Sequence, residues 1–87
     1  MMWTIKLNSL SAKELNKLDK PIKQRIEAFI DDLSTLDNPR QTGKALQGDL
    51  KGLWRYRVGD YRLIAQIKDG ELIILVVELG HRKDIYK

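Results

Sequence analysis

Residues 53–79 read LWRYRVGDYRLIAQIKDGELIILVVEL, three runs of strand-forming residues separated by Gly59-Asp60 and Asp69-Gly70. Such dipeptides between alternating apolar residues are strong local signals for tight turns joining antiparallel strands. They commit the C-terminal half of the chain to a three-strand meander. A two-residue turn with glycine first sets Val58 against Tyr61, Arg57 against Arg62 and Arg55 against Ile64. Facing residues share one side of a sheet. Trp54, Tyr56 and Val58 therefore join Tyr61, Leu63 and Ala65 on one face, and Arg55, Arg57 and Arg62 gather on the other.

The N-terminal half has a different period. Trp3, Ile5 and Leu7 alternate with Thr4 and Lys6, which predicts a strand over Met2 to Asn8. Ser11 is placed to cap a short helix, with Glu14 three residues on as in a capping box and Leu10 able to staple onto Leu15. That helix should end near Asp19, where Pro21 can open a second one. In the second helix Ile22, Ile26, Phe29, Ile30 and Leu33 recur at helical spacing. The segment DNPRQTGK then breaks the pattern with Pro39 and Gly43. The fold class is α+β: an N-terminal strand, an antiparallel helix pair, then a mainly antiparallel three-strand meander packed on the helices. With 87 residues and no cysteine, residues 1–87 form one domain whose core must do the stabilising alone.

Sixteen Lys and Arg against 12 Asp and Glu give a net charge of +4, and the excess lies in the C-terminal half. A basic chain points to a polyanionic partner or to a diffuse solvated charge. No apolar run reaches the ~18 residues of a membrane span, and no secretory leader opens the chain, so the expected location is cytoplasmic, with no membrane partner.

Like charges facing each other across a sheet are destabilising, so the Arg57–Arg62 pair calls for a reason. A bound polyanion is one; a solvated face with splayed side chains is another. Continued alternation puts Ile73, Leu75 and Val77 on the arginine side, as an apolar floor that is either ordinary sheet core or a groove for a partner peptide. The chain then finishes as GHRKDIYK, which holds its only histidine, His81. Without cysteine, a histidine pair or a carboxylate cluster at ligand spacing, thiol catalysis and a protein-held metal site are not expected, and no cofactor is. The chemistry left is phosphodiester cleavage by the RNA's own 2′-OH, with arginines neutralising charge and an unusual base taking the proton. A tyrosine among cations can fill that role, because nearby positive charge favours the phenolate.

The order of elements, with WRYRVGDYRLIAQI and the terminal GHRKDIY, resembles the RelE family of bacterial toxins over nearly the whole chain. The resemblance implies a ribosome-dependent mRNA endonuclease, metal-independent, that cuts in the A site. Its expected partners are the ribosome, mRNA and a cognate RelB-like antitoxin, with operator DNA reached only through the antitoxin. By motif, Arg55 and Arg57 match the family's basic pair, Arg62 the phosphate-holding arginine, Arg82 the late arginine and Tyr86 the terminal tyrosine. The expected catalytic set is Arg57, Arg62, Arg82 and Tyr86, with His81 as a further candidate. RNA binding falls to Lys51, Arg55, Arg57, Arg62 and Lys83, and antitoxin binding to Arg55, Arg62, Ile73, Leu75 and Val77. The basic pair is commonly lysine in the family, and a guanidinium is the poorer proton carrier, which leaves Arg57 an electrostatic role. The ending GHRKDI is also similar to ParE-like toxins of the same fold, which inhibit DNA gyrase. A non-catalytic partner of a DNA-binding antitoxin is a third reading.

Overall fold

A computed structural model of the chain describes residues 3–81, and Arg82, Lys83 and Tyr86 lie outside the described residues. In chain order the elements are β1 (Thr4–Leu7), α1 (Ser9–Lys17), α2 (Lys20–Ser34), β2 (Lys44–Ala45), β3 (Trp54–Val58), β4 (Tyr61–Lys68) and β5 (Ile73–His81). The strands form one sheet in the order β1-β5-β4-β3-β2. Its ladders are antiparallel except for β1, which pairs parallel with β5 from Thr4↔Ile73 to Leu7↔Val76.

The meander and its first register match the turn chemistry. Gly59 has φ 60, the positive value that the first position of such a turn needs, and Val58↔Tyr61, Arg57↔Arg62 and Arg55↔Ile64 are paired. The second connection is longer than the dipeptide Asp69-Gly70 implies. Lys68 pairs with Ile73, a 3-10 turn occupies Asp69–Glu71, and the left-handed residue is Leu72 at φ 55. The Leu72 carbonyl accepts from the Thr4 N–H at 2.9 Å, so this turn also seats the first residue of β1.

The first helix starts earlier than Ser11. Asn8 is its cap, with Oδ1 accepting from the Ser11 N–H at 2.9 Å, while Ser11 itself is fully buried within the helix. Glu14 pairs with Lys17 at 3.6 Å, and Leu10 is 58% exposed rather than stapled onto Leu15. The motif reading failed because the helix begins at Ser9, so Ser11 lies within its first turn and is itself a donor to the Asn8 cap. In α2 the apolar stripe packs as its spacing predicts: Ile26 and Leu33 are buried, and Ile22, Phe29 and Ile30 lie against the core. Both helices cover the same face of the sheet, where Tyr56, Leu63, Ala65, Ile74, Val76 and Leu79 complete one apolar cluster.

Candidate nucleic-acid interface

The face of the sheet turned away from the helices is built by the period-two rule applied strand by strand. From β3 and β4 it receives Arg55, Arg57, Arg62, Ile64, Gln66 and Lys68. Lys44 stands opposite Arg55 and Lys6 opposite Leu75, so both edge strands add a cation to the same face. Those two lysines were missed in the sequence because each sits in a short run whose pairing partner is distant in the chain. The result is a face to which four of the five strands contribute cations.

Its three arginines are not equivalent. Arg57 is exposed and Arg55 half-buried, whereas Arg62 is only 6% exposed, with Nη1 placed 3.4 Å from the Tyr61 carbonyl. One member of the facing pair is thus open to solvent and the other is withdrawn from it. A charge held at low exposure acts through a lower effective dielectric than one in water, so Arg62 is the stronger electrostatic element and Arg57 the more accessible one. Ile64, between Arg55 and Glu78 in the ladders, is buried although it lies outside the helix-side cluster. Lys51 is exposed just before β3.

The expected apolar floor is present in the first half of β5. Ile73 and Leu75 fall on the arginine face, opposite Lys68 and Gln66. Between Ala65↔Val76 and Ile64↔Glu78 the ladder shifts by one residue, leaving Val77 as the extra residue of a β-bulge. Past the bulge the phase reverses. Leu79 goes into the helix-side core, and Glu78 and Gly80 take the arginine side, with Gly80 directly opposite Arg62. Strict alternation has no place for this change of phase. A signal existed: the inward positions step from 74 and 76 to 79 and 81, so polar Glu78 and small Gly80 fall out of phase with the first half of the strand.

The same reversal decides His81. It pairs with Tyr61 and its ring meets the Tyr61 ring edge-on, centroids 5.4 Å apart at 82°. His81 and Tyr61 line an open groove of about 390 Å³ with Leu10 and Glu14 of α1 and with Leu18, which follows it. Arg62 and His81 therefore look out from opposite faces of the sheet, and the structure does not bring the histidine to the arginines.

The far end of the basic face is pinned by aromatic and charged contacts. Tyr56 Oη donates to the Pro39 carbonyl and Trp54 Nε1 to the Thr42 carbonyl, both at 2.7 Å. Arg40 makes a two-pronged pair with Asp69, at 2.9 and 3.0 Å, and its guanidinium lies 6.0 Å from the Trp54 ring centre. That hydrogen-bonded pairing raises the Arg40 pKa and holds the Asp69 carboxyl below its ordinary value. Burial pushes the Tyr56 phenol up to about 12. Gly43, at φ 82, passes so close to the Arg55 carbonyl and the Trp54 indole that a Cβ there would collide with both. These contacts lay the loop before β2 flat on β3 and bring Lys44 beside Arg55.

A model of the ParE toxin of type II toxin–antitoxin systems matches residues 5–86 of the chain. The toxin RelG of Mycobacterium tuberculosis is 32% identical over 88 residues, covering 100% of this chain and 99% of that protein. The chain is a member of the RelE/ParE family of type II toxins. Solved structures agree with this toxin's architecture. The toxin–antitoxin complex RelBE2 of Mycobacterium tuberculosis matches with a TM-score of 0.83 and 29% identity, covering 94% of this chain and 100% of that one. The archaeal RelE–RelB complex of Pyrococcus horikoshii matches at 0.74 and 30%, over 94% and 97%. Among the toxin's described residues no helix is long and apolar enough to cross a membrane.

Proposed function

We propose that the toxin is a ribosome-dependent, metal-independent endoribonuclease that cuts mRNA in the A site. The observation that carries this reading is the Arg57–Arg62 pair, two cations held face to face in a surface that already bears Lys6, Lys44, Arg55 and Lys68. Packing a like charge opposite another costs stability, and a phosphate bridging the two repays it.

In this mechanism Arg55, Arg57 and Lys51 make the first phosphate contacts, with Lys83 adding to them. The 6% exposure of Arg62 means that its guanidinium has to be uncovered before it can touch the substrate. The RNA 2′-OH attacks the adjacent phosphorus, the 5′-oxygen leaves, and the product carries a 2′,3′-cyclic phosphate. Tyr86 takes the 2′-OH proton, and Arg62 and Arg82 neutralise the charge that develops on the phosphate. His81, seated against Tyr61, supports the strand end. The ribosome supplies the in-line orientation that so open a surface lacks.

The partner that silences this site is a RelB-like antitoxin, in keeping with the complexes in which the structural relatives were solved. An acidic amphipathic segment of it covers Arg55, Arg62, Ile73, Leu75 and Val77, and the toxin reaches operator DNA through it.

The test is mRNA translated on purified ribosomes, compared with naked mRNA, followed by analysis of the new ends. Ribosome-stimulated cuts ending in 2′,3′-cyclic phosphate are expected, and a 2′-deoxy substitution at the scissile position should abolish them. The family-model match over residues 5–86 favours a second reading, inhibition of DNA gyrase. Loss of supercoiling activity on adding the toxin, with no cleavage of translated mRNA, would establish that reading instead.

A further inference from the structure

We infer that Asn8 is a positioning residue for the arginine face: by holding two consecutive carbonyls of β5 it fixes the bulge that turns Glu78 and Gly80 onto that face. The activity part of this inference rests on the nuclease reading above.

Asn8 follows directly on β1, whose pairing with β5 ends at Leu7↔Val76, while β5 runs on to His81. Its backbone N–H donates to the Val76 carbonyl and its Nδ2 to the Val77 carbonyl, each at 3.0 Å. In a regular strand successive carbonyls point to opposite sides of the chain, so two neighbours cannot both accept from one residue beside the strand. Here they do, and the ladder to β4 slips at the same place. The side-chain amide thus satisfies the carbonyl that the extra residue would otherwise leave at an unpaired edge.

The third bond gives this contact its rigidity. Oδ1 accepts from the Ser11 N–H at 2.9 Å, so the amide that grips the bulge is itself anchored to the first turn of α1. Asparagine suits the position because its amide carries a donor and an acceptor on one short stem. Without the tie, β5 can return to simple alternation. Val77 and Leu79 would then face the arginines, and Glu78 and Gly80 would be driven toward the core. The segment opposite Arg62 is the one at stake, and Arg82 and Tyr86 follow it in sequence.

Asn8→Asp separates the two jobs. It keeps the cap acceptor, and a carboxylate is favourable at a helix start, but it replaces the donor to Val77 with a second acceptor. Asn8→Ser likewise keeps a cap and lacks the reach. For both variants, turnover of translated mRNA at saturating ribosomes should fall about tenfold to a hundredfold, the scale of a small misplacement of catalytic groups, with KM unchanged. By nuclear magnetic resonance, the cross-strand contacts Arg62–Gly80 and Leu63–Leu79 should weaken while those within α2 persist. Ile30→Val on α2 is the stability-matched control and should keep wild-type turnover. Wild-type turnover in Asn8→Asp, intact 62–80 and 63–79 contacts, or a loss no greater than that of the control would each overturn the inference. If the wild-type toxin itself cleaves nothing, the nuclease reading fails, and the cross-strand contacts alone decide the role of Asn8.

Discussion

The two faces of the sheet are built from the same strands by the same alternation, yet they obey different physical rules. On the helix side, Tyr56, Leu63, Ala65, Ile74 and Val76 are at most 1% exposed and belong to one apolar cluster. Water exclusion determines which residue stands there. On the other side Arg55, Arg57 and Arg62 are half-buried, exposed and buried in turn, and two of them face each other. Burial would not choose that arrangement, and repulsion opposes it. The difference teaches that a sheet can carry its stability on one face and hold charge on the other against a modest cost.

The sharpest test of that division is Leu63→Ala, which hollows the helix side. By analogy with other buried leucines it should lose about 2–5 kcal/mol of stability, measured by urea unfolding, and lose activity only through unfolding. Next, Arg62→Ala acts on the other face. Removing one charge-stabilising group typically lowers turnover by about 10²–10³-fold, and that drop should appear in ribosome-stimulated cleavage in protein that still melts cooperatively. Should Arg62→Ala lower stability as much as Leu63→Ala while sparing turnover, the division of labour between the faces would be refuted.

Smaller effects sharpen the comparison. Tyr56→Phe keeps the ring in the core but removes the donor to Pro39, for a loss of about 1 kcal/mol by thermal melting. It should also alter the alkaline limb of the stability curve. The folded-state pKa of about 12 lies above the ordinary tyrosine value of about 10, so the wild type has this stabilisation in full below pH ~10 and loses it as pH rises toward 12. In Tyr56→Phe that part of the decline should be absent. The smallest change is expected from Arg57→Ala, which relieves the facing charge and should leave stability unchanged or firmer by about a few tenths of a kcal/mol. Ribosome affinity should nonetheless fall, and the log–log salt slope should drop by nearly one unit if the counterion-release rule transfers to this surface. An unaltered slope would assign Arg57 to solvent.

Much of the fold was legible because its determinants are local. The Gly59-Asp60 turn set the register of β3 on β4, which in turn set the three arginines on one face and Trp54, Tyr56 and Leu63 on the other. The helical spacing of Ile26 and Leu33 named the side of α2 that packs. The misreadings have a common cause. Ser11 looked like a cap because the capping-box pattern ignores what Asn8 can do three residues earlier. A single alternating face drawn through β5 overlooks the change of phase that Glu78 and Gly80 signal.

By itself the sequence determined the α+β class, the hairpin register and the gathering of Arg55, Arg57 and Arg62, since turn chemistry and side-chain period act between near neighbours. Only the tertiary structure decided that Lys6 and Lys44 join them, that Arg62 is withdrawn while Arg57 is open, and that Glu78 and Gly80 stand on the basic face. Those outcomes depend on strands meeting across long stretches of chain. The clearest is the bond from Asn8 to Val77, which spans 69 residues, and no local pattern encodes a contact at that separation.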